Sequence, residues 1–553
     1  MFMKQVNHDM VVYQAYPKSW KDTTGSGTGD IQGVIETLPY LNELGVDMLW
    51  LNPFYKSPQN DNGYDIADYK SIDPTYGTWE DLDDLVQEAS KQEIGLMFDM
   101  VLNHVSTDHE WFQKALAGDK EYQDYFIIRE PKDDGRLPTN WESKFGGPAW
   151  APFGDSGKYF LCLYDKTQAD LNWHNPKVRE ELYDVVNFWI EKGVKGFRFD
   201  VLNVIGKSID LKDADDGVGK KEYTDTPIVH KWVNELNERT FGKYDDIITV
   251  GEMSSTTIPD SIKYSNPEYN ELDMVFSFHH LKVDYKDGDK WTTMDFDFQE
   301  LKRILDEWQV GMTEGGGWNA VFWNNHDQPR AVDRFGDPEN YLYESSTMLA
   351  QTIHLLRGTP YIFHGEEIGM SNPNFDSIKD YRDVESQNAY KQLLEDGVSE
   401  EEALTIIQKK SRDNGRTPMQ WNDSEHAGFT TGKPWLDVAP NYKAVNTTVE
   451  DPSRRIFKYY QKLIQLRKNY PIISDGLYRG VELDHESIYA YVRELDDKKL
   501  LVLNHFYDGK SSITIPDEFL QGDTEVLISN NGERKLEKEF EMAPYETVAF
   551  LIK

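Results

Sequence analysis

The sequence predicts an α/β protein: a (β/α)8 TIM barrel with a small domain inserted after the third strand and an antiparallel β domain at its C-terminal end. Three observations carry this reading. Short apolar runs alternate with helix-like segments over most of the chain. That repeat breaks between about residues 105 and 173, where Gly, Pro, Trp and Asp crowd together. Beyond about residue 471, strand-like runs follow one another without helices. The expected division is therefore barrel at 1–104 and 174–471, inserted domain at 105–173 and β domain at 472–553.

Residues 11–16, 48–51 and 95–100 read as the first three barrel strands. In the helix before the third, Thr78 and Asp81 make a capping-box-like start, Leu82, Leu85, Val86 and Ala89 form one apolar stripe, and Gly95 ends it. Another helix opens at Asn175 and Pro176, carries Leu182, Val185, Val186, Trp189 and Ile190, and stops at Gly193. Strands at 196–199, 247–250, 274–276, 320–323 and 359–363 complete a set of eight, enough to close a barrel. After a helix at 454–467, strands are expected at 477–483, 487–493, 500–505, 512–515, 525–529 and 547–552.

At 553 residues the chain exceeds one hydrophobic core. Its 15 Trp, 31 Tyr and 26 Phe suit a sugar site, where flat rings lie on apolar sugar faces, although most must simply fill a large core. A formal net charge of −38 argues against nucleic acid or anionic membrane as a partner. Cys162 is the only cysteine, so no intrachain disulfide can form, which fits a reducing cytoplasm. Residues 1–10 hold no apolar leader run, and no segment approaches 18 apolar residues. A soluble cytoplasmic protein is expected.

Three acids stand at the ends of strand-like runs: Asp200 after Gly-Phe-Arg-Phe, Glu252 after Thr-Val-Gly, and Asp327 within Trp-Asn-Asn-His-Asp-Gln-Pro. In a barrel such positions converge at the C-terminal mouth, where catalytic groups sit. A single acid there can merely cap the next helix. Three of them, each near Arg, His or Asn, point to chemistry.

The motifs Asp99-Met-Val-Leu-Asn-His104, Gln168-Ala-Asp-Leu-Asn-Trp173, Gly196-Phe-Arg-Phe-Asp-Val201, Gly251-Glu-Met253 and Asn325-His-Asp-Gln-Pro329 resemble, in order and spacing, those of the α-amylase superfamily of glycoside hydrolases. The resemblance runs almost from end to end and implies Asp200 as nucleophile, Glu252 as acid/base and Asp327 as the group that orients the sugar. Glycoside cleavage passes through an oxocarbenium-like state, so one carboxylate must attack while a carboxylic acid protonates the leaving oxygen. Arg198, on the same strand face as Asp200, can hold that carboxylate ionised. Glu252 must keep its proton near neutral pH, which desolvation and the neighbouring Asp200 and Asp327 charges favour.

Asp61-Asn-Gly-Tyr-Asp65 and Ser411-Arg-Asp-Asn-Gly-Arg-Thr-Pro418 resemble the exo-acting branch that includes oligo-1,6-glucosidases, dextran glucosidases and trehalose-6-phosphate hydrolases. That resemblance implies that Asp61 and Arg412 bind the far hydroxyls of a terminal glucose, that Tyr64 stacks on its ring, and that His104 and His326 donate hydrogen bonds. Phe145 and Gln168 join this substrate-binding set. Val201, beside the nucleophile, accompanies α-1,6 or trehalose-phosphate cleavage in this branch and disfavours α-1,4 cleavage. Barrel relatives serving as transporter-associated ectodomains lack the three acids and carry a membrane helix, unlike this chain.

No cofactor is expected, and calcium binding at most weak. Calcium-binding relatives place acids or Asn at the positions of Asp22, Thr24, Ser26, Thr28 and Asp30, and here Thr24 and Ser26 leave only two carboxylates. The expected substrate is trehalose 6-phosphate, split to glucose and glucose 6-phosphate, with oligo-1,6-glucosidase activity as the alternative. The segments 138–147, 251–257 and 276–284 resemble trehalose-6-phosphate hydrolases more closely, and the last sets His279 and Lys282 where the oligo-1,6 enzymes typically have acids. A phosphate monoester favours such donors. Lys282 is the first candidate ligand, followed by His279 and His280, with Lys144 or Arg330 as helpers.

Overall fold

A computed structural model of the protein describes residues 8–553. Residues 1–7, most of the stretch read as lacking a leader run, lie outside the described residues. The centre is a ring of eight parallel strands: β1 (Val12–Ala15), β2 (Met48–Leu51), β3 (Gly95–Val101), β4 (Gly196–Asp200), β5 (Ile248–Glu252), β6 (Met274–Phe276), β7 (Ala320–Val321) and β8 (Thr359–Phe363). Their hydrogen-bonded order is β6-β5-β4-β3-β2-β1-β8-β7, and a parallel bridge between Val275 and Asn319 closes the ring. Every residue of β1, β2, β4, β5 and β8 is buried. A parallel strand covered on both faces must be apolar throughout, which is why these segments read as continuous apolar runs.

A helix follows each strand: α1 (Ile31–Leu44), α2 (Trp79–Lys91), α3 (Pro176–Glu191), α4 (Pro227–Arg239), α5 (Ile258–Ser265), α6 (Phe298–Glu314), α7 (Leu342–His354) and α8 (Arg455–Asn469). The Thr78 and Asp81 capping box on α2 is complete, and Asn175 caps α3 with Pro176 in its first turn. Two barrel strand ends differ from expectation by two residues and the others by at most one. β5 runs on to Glu252, in register with Phe276 of β6. β7 stops at Val321, because the indole of Trp323 leaves the ladder to donate to Leu349 O of α7 at 2.7 Å.

Between β3 and α3 the chain folds outward. Strand His104–Ser106 pairs antiparallel with Gln168–Asp170, and a three-stranded sheet forms from Ile128–Arg129, Tyr159–Leu161 and Trp150–Pro152. Lys207, 1% exposed, ties this segment to the barrel by bonds to Asp170 Oδ2 at 2.7 Å and to Asn103. A buried ammonium is tolerated only when paired in this way. Between β8 and α8 a long excursion carries helices Val384–Glu395 and Glu400–Lys410 and returns Asp383, Arg412 and Arg416 to the barrel mouth.

The C-terminal domain is a five-stranded antiparallel sheet with order β9 (Leu477–Val481), β10 (Ile488–Leu495), β11 (Lys498–His505), β15 (Thr547–Ile552) and β13 (Thr524–Ser529). β12 (Ser511–Thr514) and β14 (Glu539–Met542) form a separate pair. β14 is the strand that the sequence reading lacks. Buried Arg493 of β10 docks the sheet on the barrel by donating to Leu355 O at 2.7 Å.

Candidate active site

A cavity of about 320 Å³ opens at the C-terminal ends of the strands, lined among others by Asp61, Tyr64, His104, Phe145, Asp200, Val201, Glu252, Asp327 and Arg412. Its base is organised by Arg198, which is fully buried. Arg198 Nη1 donates to Asp200 Oδ1 at 2.7 Å and to Asp99 Oδ1 at 2.8 Å, and Nη2 donates to Glu252. Adjacent strands β4 and β5 thus bring Asp200 and Glu252 onto one guanidinium. Arg198 itself lies behind the wall.

Three carboxylates share that single cation. Burial pushes the Asp200 carboxyl well above the usual carboxylate range; Arg198 opposes the shift and the Glu252 charge adds to it. Burial likewise pushes Asp99 up to about 6, against Arg198. The shift falls on the expected nucleophile: Arg198 pairs with Asp200 but does not offset its burial, so the expectation that Arg198 alone holds that carboxylate ionised is not met. Val201 adds a constraint. Its φ of +37° puts a β-branched residue in the left-handed region, a strained conformation found mainly at functional sites, and it aims the Val201 N–H at Glu252 Oε2, 3.4 Å away.

The opposite wall carries Asp327. Arg416 Nη2 donates to Asp327 Oδ1 at 2.7 Å and Arg412 Nη1 to the same oxygen at 3.3 Å, while His326 Nε2 lies 3.3 Å from Oδ2. Burial alone would raise this carboxyl, but His326, Arg412 and Arg416 hold it well below the usual carboxylate range. Arg412 also reaches Asp61 Oδ1 at 3.3 Å and packs over the Phe145 ring at 4.9 Å. Burial raises Asp61 to about 7 against both arginines. Tyr64 stacks on His326 with ring centres 5.0 Å apart and donates to Asp99 Oδ2 at 2.8 Å. His104 donates to Tyr64 O at 3.1 Å, and Gln168, behind the wall, donates to Asp61 Oδ2 at 3.0 Å. Burial drops His104 to about 4, so its ring is neutral.

Toward the mouth, the cavity wall changes to cations. Lys144, Lys220, Lys282 and Lys290 line it with Ser254 and Ser255. The Lys144 ammonium donates to Ser254 Oγ at 2.7 Å. Burial, then the Lys220 and Lys282 charges, pull Lys144 down to about 7. Lys290 is paired with Glu385 at 2.7 Å. The remaining expected phosphate contacts point elsewhere. His279 bonds Thr256 O at 2.7 Å and stacks on Trp308. His280 is buried against Phe322 O at 2.8 Å. Arg330 is fully buried and donates to His364 O at 2.6 Å. None of the three lines the cavity, because backbone carbonyls claim their polar ends.

Lys220, Asp99, Asp383 and Arg416 belong to the site without having been singled out from the sequence. Asp383, fully buried, accepts from Arg412 Nη2 at 2.6 Å and Nε at 3.0 Å. The loop considered for calcium is satisfied by protein donors: Asp22 accepts from Thr430 Oγ1, Gly27 N and Thr24 N at 2.5–2.9 Å, and Asp30 from Thr23 N and Gly33 N at 2.7–2.8 Å. Among the described residues no helix is long and apolar enough to cross a membrane.

Residues 14–476 match the model of the alpha amylase catalytic domain, and residues 488–549 match that of the alpha-amylase SusG C-terminal domain. Trehalose-6-phosphate hydrolase of Bacillus subtilis (strain 168) is 51% identical over 544 residues, 98% of this chain and 97% of that one. Oligo-1,6-glucosidase of Parageobacillus thermoglucosidasius is 46% identical over 557 residues, covering 99% and 98%. The crystal structure of Bacillus licheniformis trehalose-6-phosphate hydrolase superposes with a TM-score of 0.94 at 52% identity, covering 99% of each chain.

Proposed function

The chain belongs to the α-amylase family of glycoside hydrolases, and from that membership we propose that it is a retaining α-glucosidase hydrolysing trehalose 6-phosphate to glucose and glucose 6-phosphate. The observation that carries the substrate is the run of lysines at the pocket mouth. Lys144, Lys220 and Lys282 face the same cavity as Asp200 and Glu252, where no neutral leaving sugar would need three cations. The chain as a whole is strongly acidic, yet exposed charges beyond about 8 Å are largely screened at physiological salt, so the local cations decide.

The terminal glucose enters the closed end. Asp61, Arg412 and Asp327 hold its hydroxyls, with His104 on the wall bonded to Tyr64 O and His326 behind it beside Asp327, and Tyr64 lies against the ring. Asp200 attacks C1 while Glu252 passes its proton to the glycosidic oxygen, and glucose 6-phosphate leaves with its phosphate among the lysines. Glu252, now ionised, takes a proton from water, which attacks C1 and releases Asp200 as the carboxylate. Retention is supported by the bridging of both carboxylates by one guanidinium, since an inverting pair stands about 6.5–9.5 Å apart to admit a water. Val201 flanks the nucleophile and favours this linkage over α-1,4 bonds.

The Lys282→Ala variant tests this reading. It should raise KM for trehalose 6-phosphate and leave cleavage of an uncharged aryl glucoside nearly intact. Equal loss on both substrates removes Lys282 from the phosphate site.

A further inference from the structure

A second cleft, of about 620 Å³, is larger than the catalytic cavity. It lies where the hairpin segment 55–72, the helix Glu110–Leu116 and α3 meet. Its volume is in the range of small-molecule sites. Tyr69 on its wall donates to Val101 O and to His104 O, so the cleft backs onto the wall of the catalytic pocket.

The cleft presents fixed, unspent polar groups beside aromatic faces. His109 and Trp111 pack with ring centres 4.4 Å apart, and Tyr69 flanks both at 5.8 and 6.3 Å. His109 Nδ1 accepts from the Trp111 backbone N–H at 3.1 Å. Burial pulls this ring down to about 4, so it is neutral and carries its proton on Nε2. Neither His109 Nε2 nor the Trp111 indole N–H has a hydrogen-bond partner among the described residues, and neither is sealed from solvent. The carboxylates of Asp108 and Glu181 also line the cleft and make no ion pair or side-chain hydrogen bond among the described residues.

We propose that this cleft binds a neutral sugar of mono- or disaccharide size. Sugar hydroxyls both donate and accept, which matches two neutral N–H donors set against two free carboxylates. The apolar sugar face suits the half-buried Trp111 ring. The lining also carries Lys56 and Lys70, the latter paired with Asp184, but the four carboxylates of Asp68, Asp108, Glu110 and Glu181 outnumber them and disfavour an anion. Among the described residues no group of side chains forms a metal-binding cluster.

Titration of the Arg412→Ala chain with glucose by calorimetry tests the site, because that substitution opens the catalytic pocket and spares the cleft. The expected result is residual binding of one glucose per chain, weakened about ten-fold or more by Trp111→Ala and by Glu181→Lys. In the otherwise unchanged chain, Glu181→Lys should leave kcat/KM for an aryl glucoside within about two-fold, since exposed substitutions of this kind are near neutral. Glu181 is exposed, so its variant keeps the test valid should Trp111→Ala fail to fold. An unchanged isotherm in both variants, or no glucose bound to the Arg412→Ala chain, overturns the proposal.

Discussion

The Lys144 ammonium donates to Ser254 Oγ at 2.7 Å, joining the segment inserted after β3 to the residues that follow Glu252 on β5. Burial and the neighbouring Lys220 and Lys282 charges hold Lys144 at about 7. The group is therefore cationic below that pH and neutral above it. A phosphate monoester is mostly dianionic above about pH 6, so any loss of binding at higher pH must come from the protein. KM for trehalose 6-phosphate should rise as pH climbs through about 7, while KM for an aryl glucoside stays flat. Lys144→Met should raise KM already at pH 6 and flatten that climb. Parallel pH profiles for the two substrates would remove Lys144 from phosphate binding.

The acid and the nucleophile separate by leaving group. A nitrophenyl glucoside departs without protonation, so Glu252→Gln should lose far more of its glycosylation rate on trehalose 6-phosphate than on the aryl substrate. General acid catalysis contributes about 10²–10⁴-fold, which sets the expected gap. Asp200→Asn should lose both alike. Pre-steady-state rates on the two substrates decide it, and a reversed pattern would exchange the assigned roles.

Asp383 touches no cavity atom, yet it grips Arg412 through two nitrogens. Asp383→Asn keeps the hydrogen-bond capacity and removes the charge, so Arg412 should drift from Asp61 and Asp327. A misplacement of about 1 Å in a positioned group costs on the order of 100-fold, and kcat/KM should fall toward that figure. Adding Arg412→Ala to Asp383→Asn should then cost little more, because both act through one guanidinium. Additive losses would show that Asp383 acts by another route.

The saturated Asp22 and Asp30 carboxylates leave few lone pairs for a cation. EDTA should leave the melting temperature unchanged. A large drop would mean that calcium displaces the Thr430 and glycine donors.

The barrel and its three acids were legible because covered parallel strands must be apolar and because catalytic groups gather at their ends. Asp383 and Lys220 were not, since they come from irregular segments whose path over the barrel mouth no periodicity encodes, while Arg416 stands within the 411–418 motif without a role assigned to it. His279, His280 and Arg330 illustrate the converse. Their place in the chain puts them near a strand end, but side-chain direction depends on which carbonyls they find, and each turns to one. β14 alternates Glu539, Phe540, Glu541 and Met542, exposed and buried by turns. That pattern is readable, but in only four residues it is easily passed over.

The most direct test of the account is kcat/KM for trehalose 6-phosphate, isomaltose and maltose measured side by side, with products resolved. Each charge-assisted bond to phosphate contributes about 1.5–3 kcal/mol. The account therefore predicts that trehalose 6-phosphate leads isomaltose by about 100-fold or more, yields glucose and glucose 6-phosphate in equal amounts, and leaves maltose the poorest substrate. Faster cleavage of isomaltose than of trehalose 6-phosphate would contradict it.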